Sequence, residues 1–404
     1  MVDSHAHFKL AQPLSATGAL PIPSAQELAH SEALTDLIRR DIHDAGGHVD
    51  FARFMQLALY APGLGYYSAG LTKFGASGDF ITAPELGALF ARCLARQCLP
   101  LMQELGNADV LEVGAGSGAL AADLLMELEC LEQLPRTYYI LELSADLRQR
   151  QAQRLAQQVP HLAARVQWLD TLPTPGFRGI VVANEVLDAM PVQRFCIKDG
   201  VAQRLDVAWD NGEFVWRSVP SETTLNRVLS ARLDLGAVPD GYISEVNLQA
   251  EAWLRSMATV LEHGVILLVD YGYGRAEYYH PQRSAGTLLC HYRHRAHDNP
   301  LVLAGLQDIT SHVEFTAMAE AATDAGLALL GYTSQAAFLA ANGIAQLADT
   351  PQHPDPRRQI ALMQEIKKLT LPQEMGELFK VMALGRGMAT PMVGLTLQDW
   401  RGRL

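Results

Sequence analysis

The stretch Val110-Leu111-Glu112-Val113-Gly114-Ala115-Gly116-Ser117-Gly118-Ala119 constrains the chain more than any other. A short apolar run ends in alternating glycines, and an alanine- and leucine-rich helical pattern follows. That order spells strand, tight turn, helix. Glycines at such a turn admit left-handed backbone and let a ligand approach the main chain closely. The helix start adds unpaired N–H groups. The string satisfies both the Gly-x-Gly-x-x-Ala pattern of dinucleotide enzymes and the Gly-x-Gly-x-Gly pattern of S-adenosylmethionine (SAM) enzymes.

The rest of the chain repeats the alternation. Apolar runs at 109–113, 138–143, 165–168, 179–183 and 264–270 predict strands, and helical patterns at 119–128 and 146–158 lie between them. Continuous apolar strands alternating with helices mean a mostly parallel sheet covered on both faces, an α/β fold of Rossmann-like type. Residues 328–332 and 379–384 predict two late strands at the far edge. Upstream, helices are expected over 24–45, 51–60 and from Pro84 or Glu85 to Glu104. The divisions are a mostly helical region (1–104), a cofactor-binding half (105–190), an insertion (191–262) and the remaining core (263–404), which holds a second insertion at 271–326. In the first insertion, Asp199-Gly200 and Asn211-Gly212 mark hairpin turns, with helices expected over 221–235 and 247–262.

Carboxylates around the loop separate the two cofactors. Glu112 stands two places before the first glycine, where it can face the ammonium of a methionine moiety; beside a pyrophosphate it would be unwelcome. Glu142 ends the second strand, where a carboxylate binds both ribose hydroxyls, as either cofactor would want. Asn184-Glu185 ends the fourth strand, across the point where strand order reverses. SAM fits this set better, and a nicotinamide-dependent oxidoreductase stays as the alternative.

The net charge of −12 and the lack of a Lys/Arg cluster argue against nucleic acid. No apolar run is long enough to span a bilayer. Five cysteines at spacings that match no metal motif read as reduced thiols of a cytoplasmic protein, and no metal is expected. The N-terminus has no Arg before Arg39 and reads as neither signal peptide nor presequence.

Six ordered landmarks then bear on family. They are Tyr60-Ala61-Pro62-Gly63-Leu64-Gly65-Tyr66-Tyr67 with Gly78-Asp79-Phe80-Ile81-Thr82, the 111–118 loop, Ala183-Asn184-Glu185-Val186-Leu187-Asp188-Ala189-Met190-Pro191, Val269-Asp270-Tyr271-Gly272, Asp308-Ile309-Thr310-Ser311-His312, and Met375-Gly376-Glu377-Leu378-Phe379-Lys380. With these the chain resembles the MidA-type SAM-dependent methyltransferases of bacteria and mitochondria. The resemblance implies a seven-stranded class I methyltransferase core. For the mitochondrial members it implies symmetric dimethylation of an arginine on a respiratory complex I subunit. It also sets Asp79 and Thr82 against the cofactor, beside Glu112, Gly114, Ala115, Gly116, Gly118, Glu142, Leu143 and Asn184. Asn184-Glu185 also occurs in amino-methylating enzymes, but Val186-Leu187 replaces their aromatic ending.

The acceptor chemistry follows from arginine itself. Its guanidinium stays protonated and is a poor nucleophile, so a carboxylate pair must grip it and leave one nitrogen to attack. Glu185 is the first candidate for that grip, and Glu245, in Gly241-Tyr242-Ile243-Ser244-Glu245-Val246-Asn247, is the second. A helix-start carboxylate favoured by the dipole is the plainer reading of Glu245. Asp188, Tyr271 and His291 are expected on the acceptor side. Tyrosines 66, 67, 271 and 292 are offered as walls of a cation pocket. The expected partner is a protein substrate, with self-association compatible. A small-molecule acceptor and a non-catalytic assembly chaperone are the other readings.

Overall fold

The structure is a computed structural model and describes residues 20–69, 82–348 and 356–404. Its centre is a twisted sheet built from β1 (Asp109–Val113), β2 (Tyr138–Leu141), β3 (Val166–Leu169), β4 (Phe177–Asn184), β5 (Leu261–Tyr273), β6 (Ala328–Ser334) and β7 (Phe379–Arg386). The strand order is β6-β7-β5-β4-β1-β2-β3, and the short strand Val313–Glu314 pairs with the end of β5. The five strands from β5 to β3 run parallel, and β7 is antiparallel to both its neighbours.

Period-two alternation divides the strand side chains between two layers. Val110, Ile180, Val182, Val265 and Leu267 face helices Leu89–Leu105 and Ala119–Cys130. Leu111, Val181, Ala183, Ile266 and Leu268 face helices Leu248–Val260 and Phe315–Asp324. Both faces are therefore apolar, which is why these strands read as unbroken hydrophobic runs. The two helices on the second face belong to this covering layer, although the sequence placed them with the insertions. They pack against each other and against β5.

The first insertion folds as strands Gln193–Lys198, Val201–Asp210 and Glu213–Pro220, turned at Asp199-Gly200 and Asn211-Gly212, with Ile243–Val246 completing the edge. Helices Ala25–Asp44 and Phe51–Tyr60 pack on this sheet and not on the main one. Leu34, Ile38, Phe51 and Phe54 share a core with Val207 and Phe214, and His48–Asp50 pairs antiparallel with residues 206–208. The N-terminal helices and the insertion thus form one lobe over the C-terminal ends of β1 and β4.

The long helix expected from residue 84 or 85 is broken. A single turn, Ala83–Leu86, is followed by Gly87 and then by Leu89–Leu105. The Glu365 carboxylate fills the space beside Gly87 that a Cβ would need, and it accepts the Leu89 N–H at 2.7 Å. The break lets residues 82–86 bend over the glycine loop while the long helix lies under the sheet.

Candidate active site

A cleft of about 940 Å³ opens at the C-terminal ends of β1, β2 and β4. Open α/β sheets place ligands there, where strand order reverses. Its floor is the glycine loop. Gly114, Gly116 and Gly118 have φ of 66°, 53° and 82°, a region costly for residues with a Cβ. A Cβ on Gly114 would also stand 3.1 Å from Cγ2 of Val186. Gly118 does not line the cleft; it closes the turn against Gln151 and caps the helix that follows.

Gln151 fastens this floor to its wall. Its Nε2 donates to the Gly116 carbonyl at 3.0 Å and to Oε2 of Glu142 at 3.1 Å, while its Oε1 accepts from Trp168 Nε1 at 2.9 Å. Ser144 N–H holds the other Glu142 oxygen at 2.9 Å. Glu142 is therefore aimed before any ligand arrives, with Leu143 beside it as an apolar surface that is 78% exposed. Glu112 lies under the loop and accepts the Tyr138 phenol at 2.7 Å. Burial pushes its carboxyl up to about 7, against the opposing effect of that hydrogen bond. Above the loop, Glu85 binds Ser117 Oγ and pairs with Arg154 at 3.3 Å, and Thr82 lines the same side. Asp79 lies outside the described residues.

The other end of the cleft is built on strand β4 and its exit. Glu185 sits at φ 52°, a conformation that costs a non-glycine residue about 1–3 kcal/mol and clusters at functional sites. Asn184 Nδ2 donates to Glu185 Oε1 at 3.3 Å, leaving Asn184 Oδ1 buried and without a partner among the described residues. Desolvation first, then the nearby Asp188 charge, raises Glu185 to about 8. Asp188 is 5% exposed and shares the cleft. Its Oδ2 accepts from Tyr271 at 2.6 Å, and the backbone N–H groups of Asp188 and Ala189 also favour its ionised form. Asp270 orients this corner by accepting the Leu187, Asp188 and Tyr271 N–H groups at 3.0, 3.2 and 2.9 Å. Burial raises both Asp188 and Asp270, and their mutual repulsion raises Asp270 further. Tyr60 and Tyr67 stack at 5.5 Å across the cleft; Tyr60 donates to Ala189 O and Tyr67 to Asp308 Oδ1, each at 2.9 Å.

Of the five residues expected at the acceptor, Glu245, His291 and Tyr271 lie elsewhere. Glu245 is fully buried away from the cleft, 3.3 Å from Arg194 and bonded by Thr287 N–H at 2.8 Å and Thr287 Oγ1 at 3.1 Å. Breaking a buried pair costs about 3–5 kcal/mol, more than the about 1.5–3 kcal/mol a charged hydrogen bond returns. Glu245 is thus a lobe-building residue and cannot grip an acceptor. His291 lies on strand Leu289–Tyr292, outside the cleft, where burial lowers its pKa. Tyr271 stands behind Asp188 and does not line the cleft. Tyr66 and Tyr292 are packed inside and wall nothing. The sequence reading assigned no role to Tyr60, Asp270 or Asp308, although all three stand inside the quoted landmarks. It also passed over Gln151, which no local pattern marks.

The cleft fits SAM on its own terms. The glycine loop keeps its backbone open to the cleft, Glu142 is held at the end of β2 where a carboxylate suits ribose hydroxyls, Leu143 offers an apolar face, and Glu112 adds a carboxylate to the same lining. No group of three or more His, Cys, Asp or Glu able to hold a metal occurs among the described residues. No described helix is long and apolar enough to cross a membrane.

Comparison with known proteins points the same way. A family of S-adenosyl-L-methionine-dependent methyltransferases matches residues 93–333. A Burkholderia thailandensis protein described as a methyl transferase, solved with S-adenosyl-homocysteine bound, is 44% identical, with 96% of this chain and 100% of that one covered and a TM-score of 0.92. The protein arginine methyltransferase NDUFAF7 homolog of Drosophila melanogaster is 29% identical over 95% of both chains. The human protein arginine methyltransferase NDUFAF7 is 26% identical over 84% of this chain and 80% of its own. Both relatives are named as mitochondrial, which overturns the cytoplasmic placement drawn from the cysteines. Free thiols report a reducing environment and do not distinguish one reducing compartment from another.

Proposed function

Because this chain belongs to the family of S-adenosyl-L-methionine-dependent methyltransferases, we propose that its methyl acceptor is the guanidinium of an arginine in a protein. The single observation that carries this reading is that two carboxylates, Glu185 and Asp188, line the same cleft within electrostatic reach of one another. Desolvated carboxylates call for donors, and a guanidinium brings five donors in a planar fork. Two nearby carboxylates match that fork and favour its charge. The names of the relatives, protein arginine methyltransferases, agree with the acceptor. Within proteins, the resemblance to MidA-type enzymes nominates a respiratory complex I subunit.

Bound SAM supplies a methyl group on a positively charged sulfur, open to in-line displacement. The chain's residues do the rest. Glu112, Glu142 and the glycine loop fix the donor end. Glu185 and Asp188 hold the guanidinium at two nitrogens and localise its charge there, so that the third nitrogen keeps its lone pair for attack. Attack by that nitrogen would displace the donor sulfur as a neutral thioether and release one proton, which one of the two cleft carboxylates, both raised by burial, takes up as the grip relaxes. Tyr60 and Tyr67 narrow the approach and exclude water.

The test is methyl transfer to a peptide library with a fixed central arginine, read by mass spectrometry for methylarginine. Wild-type protein is expected to modify it, and Asp188→Asn to lose at least about a hundredfold in rate, as the loss of one charge-assisted contact together with a proton acceptor implies. Methylation of lysine in place of arginine, or of neither, would remove the reading.

A further inference from the structure

The acceptor end of the cleft does not stop at Glu185. It continues past Gln56, Pro191 and Gln249 into a side pocket of about 270 Å³, and these three residues line both spaces. Its remaining walls include Gln193, Leu248 and Ala52. The charged residues at its rim are engaged. Asp50 accepts the Arg53 N–H at 2.7 Å, and Arg53 is held by Asp41 at 2.8 Å and by Gln56 at 3.1 Å. Side-chain amides therefore set its polarity. Gln193 Oε1 is buried and has no partner among the described residues.

From this geometry we propose that the side pocket binds the main chain and one uncharged side chain of the substrate next to the methylated arginine. Amide side chains donate and accept in the way peptide groups do, so neighbouring Gln56, Gln193 and Gln249 suit an extended backbone. Gln193 lines this pocket and offers a side-chain amide to a substrate peptide group. A space of this size admits one residue of ordinary size and no folded element. The engaged charges leave no reason to select a charged neighbour. The three lining residues shared with the acceptor end tie the pocket to the reaction: the arginine side chain goes down to Glu185 and Asp188 while its own chain runs over Gln249. This inference rests on the arginine reading above and deepens it from a side chain to an extended protein segment.

The experiment compares two acceptors on the full-length protein with SAM: N-acetyl-arginine-methylamide, and a nine-residue library with central arginine and random flanks. Wild type is expected to favour the library in kcat/KM by about tenfold or more, the worth of one or two hydrogen bonds. In Gln193→Leu, which keeps size and loses the amide, the preference should shrink to within about threefold; S-adenosyl-homocysteine affinity and melting temperature check that the variant is folded. Equal use of both acceptors by wild type overturns the pocket's role while arginine methylation stands, and it does so whether or not the variant folds. An undiminished preference in folded Gln193→Leu does the same. Methylation of neither acceptor removes the arginine reading itself.

Discussion

Tyr271 donates a 2.6 Å hydrogen bond to Oδ2 of Asp188, a carboxylate that lines the cleft. One phenol thus fixes the orientation of that carboxylate. On the proposed reading Tyr271 is a positioning residue, reaching the acceptor only through Asp188. Its hydrogen bond also lowers the Asp188 pKa against the burial that raises it. Tyr271→Phe should cut turnover by about tenfold, the worth of one such bond. It should also move the acidic limb of the pH–rate profile to higher pH, because Asp188 would then hold its proton longer. A purely structural role predicts lost stability with an unmoved limb; the profile and a melting curve separate them.

Glu185 carries a second prediction. Its folded pKa, raised to about 8, lies above the ordinary carboxylate value. Between the two, the folded state binds a proton that the unfolded chain has released, so this group's stabilisation is complete below the unfolded value and is lost as pH rises towards 8. Glu185→Gln cannot ionise. Its melting temperature should decline less than wild type's between pH 5 and 8, turnover should fall by orders of magnitude, and S-adenosyl-homocysteine affinity should stay within about threefold. Preserved turnover would sink the proposed grip; collapsed S-adenosyl-homocysteine binding would place Glu185 on the cofactor.

Glu112 predicts the pH dependence of cofactor binding. With its carboxyl near 7 in the free protein, an approaching ammonium must expel a proton at pH 6 and need not at pH 8. Affinity for S-adenosyl-homocysteine, measured by calorimetry, should therefore rise across that interval, by no more than about tenfold per pH unit for one proton. In Glu112→Gln the dependence should flatten. A flat wild-type profile would place the ammonium elsewhere.

At Gly114, φ of 66° and the 3.1 Å approach to Val186 act together. Gly114→Val should abolish S-adenosyl-homocysteine binding and lower stability by about 1–3 kcal/mol, the cost of a β-branched residue held in left-handed backbone. Normal binding by this variant would move the site away from the loop.

The sequence alone determined the sheet and which residues its strand ends and glycine loop bring to one cleft. Strands β1 and β4, the glycine loop, Glu112, Glu142 and Asn184-Glu185 are all local: a strand's apolar run, a turn's glycines and the residue at a strand's end lie within a few positions of one another, and the α/β rule places them at the same edge. Only the tertiary structure decided which further carboxylates reach that cleft. Glu245 and Asp188 are both acidic and both stand in the lobe-facing stretches of the sequence, yet Arg194 engages the first while Tyr271 and Asp270 aim the second. Those partners lie 51, 83 and 82 positions away along the chain. Which buried carboxylate is neutralised and which is left facing a cleft depends on such distant contacts, and periodicity, which reports only on neighbours, carries no record of them.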